Sequence, residues 1–124
     1  MKNITLLIIL CLPLLSIGQN KNALNFESKN HDFGTISSNS QKAIATFQFT
    51  NTSKTPIEIV RIHGENHCLD IDSLSLKSYA PGEKGTITVT YNTECVGPIR
   101  KTLSVFTSKK AMTITLKLTG KVKA

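Results

Sequence analysis

In separate runs beyond residue 42, apolar side chains recur at every second position, and that period admits half-buried strands rather than amphipathic helices. In residues 42–50, KAIATFQFT, the residues Ala43, Ala45, Phe47 and Phe49 fall on one face. Residues 85–91, GTITVTY, repeat the arrangement with Ile87, Val89 and Tyr91. Residues 99–105 alternate Ile99, Lys101, Leu103 and Val105, and residues 112–118 set Met112, Ile114, Leu116 and Leu118 inward against Thr and Lys. Each segment reads as a strand with one wet face. Residues 57–62 are rich in β-branched side chains and make another. Turn chemistry separates these runs: NTSKTP at residues 51–56, APGEKG at residues 80–85 with Pro then Gly for a type II turn, and TSKK at residues 107–110 for a hairpin. Between Leu69 and Leu76 the alternation changes phase, from Leu69 and Ile71 to Leu74 and Leu76, which predicts a bulge near Asp72 and Ser73. With a first strand over residues 26–36, the chain predicts an all-β fold, an antiparallel β-sandwich of about seven strands. Alternation alone also fits a barrel.

The first eighteen residues follow a different rule. Lys2 precedes an apolar run from Ile4 to Ile17, which ends in the small residues Ser16 and Gly18. This pattern predicts a signal peptide over residues 1–18, cleaved between Gly18 and Gln19. The run is shorter than the roughly 20 residues a spanning helix needs, and Pro13 interrupts it. Leu10 stands where lipid attachment at Cys11 would call for a small residue. What remains, about 106 residues, is the length of one domain, secreted or held in the periplasm or cell envelope, with no transmembrane segment. Loss of the leader lowers the net charge from +7 to about +6. The basic residues concentrate mildly at Lys109, Lys110, Lys117, Lys121 and Lys123, spaced as on a solvated edge. The absence of Trp argues against a stacking platform for nucleic acid.

Several phrases occur in a telling order: HDFGTI, FQFTNTSKTPIEI, YAPGEKGTITVTYN, GPIRKTLSV and LKLTGKV. Together they resemble the secreted DUF1573 family, whose domain has no assigned function. The match runs over about residues 26–122, and its most specific pieces are Phe33, Gly34 and Ile36, then Asn51 with Pro56, then Pro81 and Gly82 ahead of Gly85. The resemblance implies an immunoglobulin-like sandwich of ciliary and major-sperm-protein type, serving in binding or assembly rather than catalysis. The family usually carries Cys-Gly-Cys-Thr where this chain has Asn66, His67, Cys68 and Leu69, so only the second cysteine survives.

That departure lies in the one chemically dense stretch, RIHGENHCLDID, residues 61–72. Three readings compete for it. Removing Cys11 with the leader leaves two cysteines, Cys68 and Cys95, an even count in an oxidising setting. If successive strands run antiparallel, both sit in loops at the same end, which predicts a disulfide. Alternatively His63, His67 and Cys68, with Glu65, Asp70 or Asp72, make a zinc or copper site, imidazole and thiolate being suitable donors. The third reading is a polar connecting loop. No phosphate loop, nucleophile elbow or paired-carboxylate pattern appears, and no residue is assigned a catalytic role. Asn51-Thr52-Ser53 matches a glycosylation acceptor, but a turn accounts for the same residues. The expected function is therefore a secreted, non-enzymatic module without a cofactor, for protein binding or structural assembly with an unidentified partner, through exposed strand edges or the loop end that carries Cys68 and Cys95. The alternative is a metal-binding or redox module. Chaperone action is weaker, since pilus chaperones pair two such domains.

Overall fold

The computed structural model describes residues 24–39, 43–109 and 112–124. The leader, its cleavage point between Gly18 and Gln19, and Cys11 lie outside the described residues. Among the described residues nine strands form, and their burial follows the alternation: β1 Leu24–Phe26, β2 Asn30–Ser37, β3 Ala43–Asn51, β4 Ile57–His63, β5 Leu69–Ile71, β6 Ser78–Tyr79, β7 Lys84–Tyr91, β8 Gly97–Thr107 and β9 Thr113–Lys123. They pair as two sheets in the orders β1-β3-β7-β5 and β2-β9-β8-β4-β6. Phe47, Ile87 and Val89 of the first sheet and Ile59, Leu103 and Leu116 of the second belong to one buried cluster between them. Each such side chain contributes about 1.5–3 kcal/mol through its removal from water. The fold is an immunoglobulin-like sandwich.

The count exceeds the expected seven for local reasons. Residues 26–36 are not one strand: Ser28 exchanges hydrogen bonds with Asn30, its Oγ donating to the carbonyl at 2.9 Å and accepting from the amide at 3.2 Å. The chain turns there and passes from the first sheet to the second, where β2 runs parallel to β9. The predicted bulge near Asp72 and Ser73 is instead a single 3-10 turn, Ser73–Ser75, whose N-cap Asp72 accepts the Leu74 amide at 2.9 Å. Winding through that turn rotates Leu74 and Leu76 outward, to 80% and 42% exposure, and leaves Ser75 buried.

Of the residues that carry the family likeness, Asn51, Pro56, Pro81, Gly82 and Gly85 gather at one corner, and Phe33, Gly34 and Ile36 lie on β2. Pro81 and Gly82 occupy the centre of the expected type II turn, with Gly82 at φ 84° and the Glu83 amide donating to the Ala80 carbonyl at 2.9 Å. Asn51 is fully buried beside this turn and grips it. Its amide donates to the Glu83 carbonyl at 2.9 Å, its carbonyl accepts from Gly82 at 2.7 Å, and its Nδ2 donates to Tyr79 at 2.8 Å and to Thr55 at 3.1 Å. Its Oδ1 accepts the Ser53 amide at 2.9 Å. A glycan on that nitrogen would take the place of a buried hydrogen bond, so the acceptor motif is the turn itself. Pro56 is exposed at the start of β4. Gly85 is obligatory for space, because a Cβ there would run into the ring of Phe49 and lie 2.5 Å from Cε2 of Tyr79. Phe33, Gly34 and Ile36 act on the edge strand: Gly34, at φ 70°, sits where the pairing with β9 shifts register between Asp32 and Thr35. Phe33 and Ile36 pack on the core, Phe33 with its ring 6.3 Å from that of Tyr91.

Candidate functional site

At the opposite end of the first sheet, the chain must cross from β4 to β5. Gly64, at φ 138°, makes the crossing possible, since a Cβ would come within 2.6 Å of Cδ2 of Leu103. Asn66 and Leu69 then close a tight turn by exchanging backbone hydrogen bonds of 3.0 and 3.1 Å, with His67 and Cys68 at its tip. The Asn66 Oδ1 steadies that tip by accepting the Cys68 amide at 2.8 Å. From the facing loop, the Asn92 amide donates to the Cys68 carbonyl at 2.8 Å and the Cys95 amide to the Asn92 carbonyl at 3.0 Å. Two neighbouring loops are thus aligned by their backbones, and Cys68 and Cys95 are joined in a disulfide with their Cα atoms 6.1 Å apart.

The tight turn changes which histidine matters. Donor atoms of His67, Cys68 and Cys95 all lie within 4.8 Å of one another. His63 does not join them: it lies on β4 in the second sheet, opposite Ser104, on the far side of the crossing. Of the expected set His63, His67 and Cys68, the last two fall in this group and His63 does not. Two of the carboxylates offered as a fourth ligand are engaged by backbone, Glu65 with the Ile71 amide at 3.1 Å and Asp72 with Leu74. Asp70 lies on β5 opposite Thr90. A cleft of about 160 Å³ opens beside His67 and Cys68, walled on its other side by Thr90, Tyr91 and Asn92.

A second feature lies along the same sheet's margin. Pairing of β5 with β7 stops at Ile71 opposite Val89, followed by one bond from the Asp72 amide to the Thr88 carbonyl at 3.0 Å. Beyond it, among the described residues, no strand pairs with residues 84–87 of β7 on that side. Backbone directions alternate in an antiparallel ladder, so the N–H and C=O of Thr86 point the same way as those of Thr88, outward. A cleft of about 230 Å³ follows this margin, overhung by Leu74 and floored by Tyr79 and Gly85. Burial, and then the Glu83 carboxylate, push the Tyr79 phenol above its ordinary pKa. Tyr79 stays neutral there, its hydroxyl donating to the Ser75 carbonyl at 2.9 Å. Alternation did not reveal this margin, because it depends on where β5 ends; Asp72 ahead of Ser73, a capping residue, is the signal that marks the place.

The architecture recurs in solved structures of low identity. A protein of unknown function from Porphyromonas gingivalis W83 matches with a TM-score of 0.67 at 14% identity, over 80% of this chain and 46% of that one. This chain therefore spans about half the length of that protein. The PapD-like domain 7 of human CEP192 matches with a TM-score of 0.61 at 11% identity, over 82% and 87% of the two chains. WR4, a major-sperm-protein family member of Caenorhabditis elegans, matches with a TM-score of 0.62 at 9% identity, over 80% and 98%. No curated protein matches the chain. The family model of DUF1573, described as a protein of unknown function, matches residues 24–122, and the chain belongs to that family.

Proposed function

We propose that this protein is a non-enzymatic module of an extracytoplasmic compartment, which binds a protein partner by adding an extended segment of it to the open margin of β7. The observation that carries the reading is the length of β7, at Lys84, Gly85, Thr86 and Ile87, that pairs with β3 on one side and, among the described residues, with no strand on the other. Strand addition supplies affinity through backbone bonds, and specificity through pockets for alternate side chains. Leu74 overhangs the margin as an apolar wall for one such side chain. The other long edge is less suited, because the bulge at Gly34 interrupts the ladder of β2. The residues shared with the family support a non-catalytic role, since Asn51, Pro81, Gly82 and Gly85 are occupied in building the corner. The leader-like residues 1–18 and the disulfide favour secretion or the periplasm. Among the described residues, no helix is long and apolar enough to cross a membrane.

The test places a photo-crosslinking amino acid at Thr86 in the native envelope, and in a second protein at Thr46, on the paired strand β3. A discrete adduct from position 86, absent from position 46, is expected. Adducts of equal yield at both positions, or none at 86, would count against the reading.

A further inference from the structure

We propose that the Cys68–Cys95 bridge and a zinc site are two states of the same three side chains, interchanged by reduction. The donors are already assembled, with the imidazole of His67 and both sulfurs within 4.8 Å of one another. Their loops are aligned by backbone bonds that do not pass through the disulfide, Asn66 with Leu69 and Asn92 with Cys68. Opening the bridge therefore leaves the two cysteines side by side. Metal–sulfur bonds of about 2.3 Å put two zinc-bound sulfurs about 3.8 Å apart, a separation reached by side-chain rotation from Cα atoms 6.1 Å apart. His67 is exposed, which leaves its ring room to turn toward that position. The adjoining cleft leaves the fourth coordination position to water or to a small ligand.

The chemistry balances with an external dithiol as reductant. Its two electrons and two protons convert the disulfide into two thiols, while the dithiol itself becomes a disulfide. Zinc then displaces both thiol protons to solvent and takes the neutral imidazole as third ligand. Two thiolates cancel the charge of the ion. Mixed thiolate and imidazole donors in this number suit zinc with an open position. An external disulfide, reduced to its dithiol with two protons from solvent, takes the two electrons back, expels the metal and restores the bridge, so the site reports the redox state of its surroundings.

The inference stands apart from the β7 margin and is tested separately. Zinc is titrated into the protein before and after treatment with a phosphine reductant, which does not compete for the metal, and stoichiometry is read by native mass spectrometry. The oxidised protein is expected to bind no stoichiometric zinc and the reduced protein one equivalent. His67→Ala should weaken binding by about tenfold or more through loss of one of three ligands, with His63→Ala unchanged. Circular dichroism of the same samples establishes that the reduced sandwich stays folded. The proposal is overturned by a folded, reduced protein that takes no zinc, by His67→Ala binding as tightly as the parent, or by zinc uptake only after the β signature is lost.

Discussion

The two ends of the first sheet face the same problem and solve it with different chemistry. At one end a loop and a turn must be held together, and Asn51 does so with hydrogen bonds that no oxidant or reductant touches. At the other end a covalent bond between Cys68 and Cys95 is added to the backbone bonds that align two loops, and it lasts only where the surroundings are oxidising. The lesson is that one end is fixed by the sequence alone, whereas the other is conditional on the compartment. The family-like residues Asn51, Pro56, Pro81, Gly82 and Gly85 lie at the unconditional corner. The departure from the family pattern, with Asn66 and His67 before a single Cys68, falls at the conditional end.

Replacing Cys68 and Cys95 together by Ala should lower stability by about 3.5 kcal/mol, the chain-entropy value for a loop of 27 residues. Urea unfolding measures it, and reductant should then shift the parent's midpoint but not the double variant's. At the corner, Asn51→Ala strands the buried Tyr79 carbonyl and frees the Ser53 amide, at an expected cost of about 3 kcal/mol that reductant leaves unaltered. A midpoint shift small enough to match a surface substitution would show that the corner is held by something else. Gly85→Ala, forced against the Phe49 and Tyr79 rings, should cost about 2 kcal/mol and appear as a lower thermal midpoint.

The smallest effect concerns pH. The Ala80 amide, and then Lys77, hold the Glu83 carboxyl below its ordinary pKa. Because the folded value lies beneath the unfolded one, this contribution is present at neutral pH and fades as pH falls through the lowered value. Glu83→Gln should therefore flatten the acid limb of a stability profile slightly, and leave the redox response of the opposite end intact.

Much of the fold was legible because one face of each long strand is buried, so Phe47, Val89, Leu103 and Leu116 had to lie on a period of two. Short elements escaped that logic. β5 and β6 are too brief to show alternation, and the 3-10 turn made Leu74 and Leu76 look like an inward pair when both face solvent. Ser28 hid a change of sheet inside what read as one strand. At the candidate site, strand parity brought Cys68 and Cys95 to one end, but it could not select His67 over His63. That choice rests on the turn that Asn66 and Leu69 close, which no periodicity in the sequence marks. The open margin of β7 was illegible for the same reason, since only the end of β5 defines it.

One measurement bears on the whole account: the intact mass of the protein purified from its own host without reductant, before and after thiol alkylation. The account predicts a chain beginning at Gln19 that takes up no alkylating agent until it is reduced, and then takes up two equivalents, at Cys68 and Cys95. A retained leader, or a thiol that reacts without reduction, would contradict both the extracytoplasmic address and the covalent closure from which the two ends derive their difference.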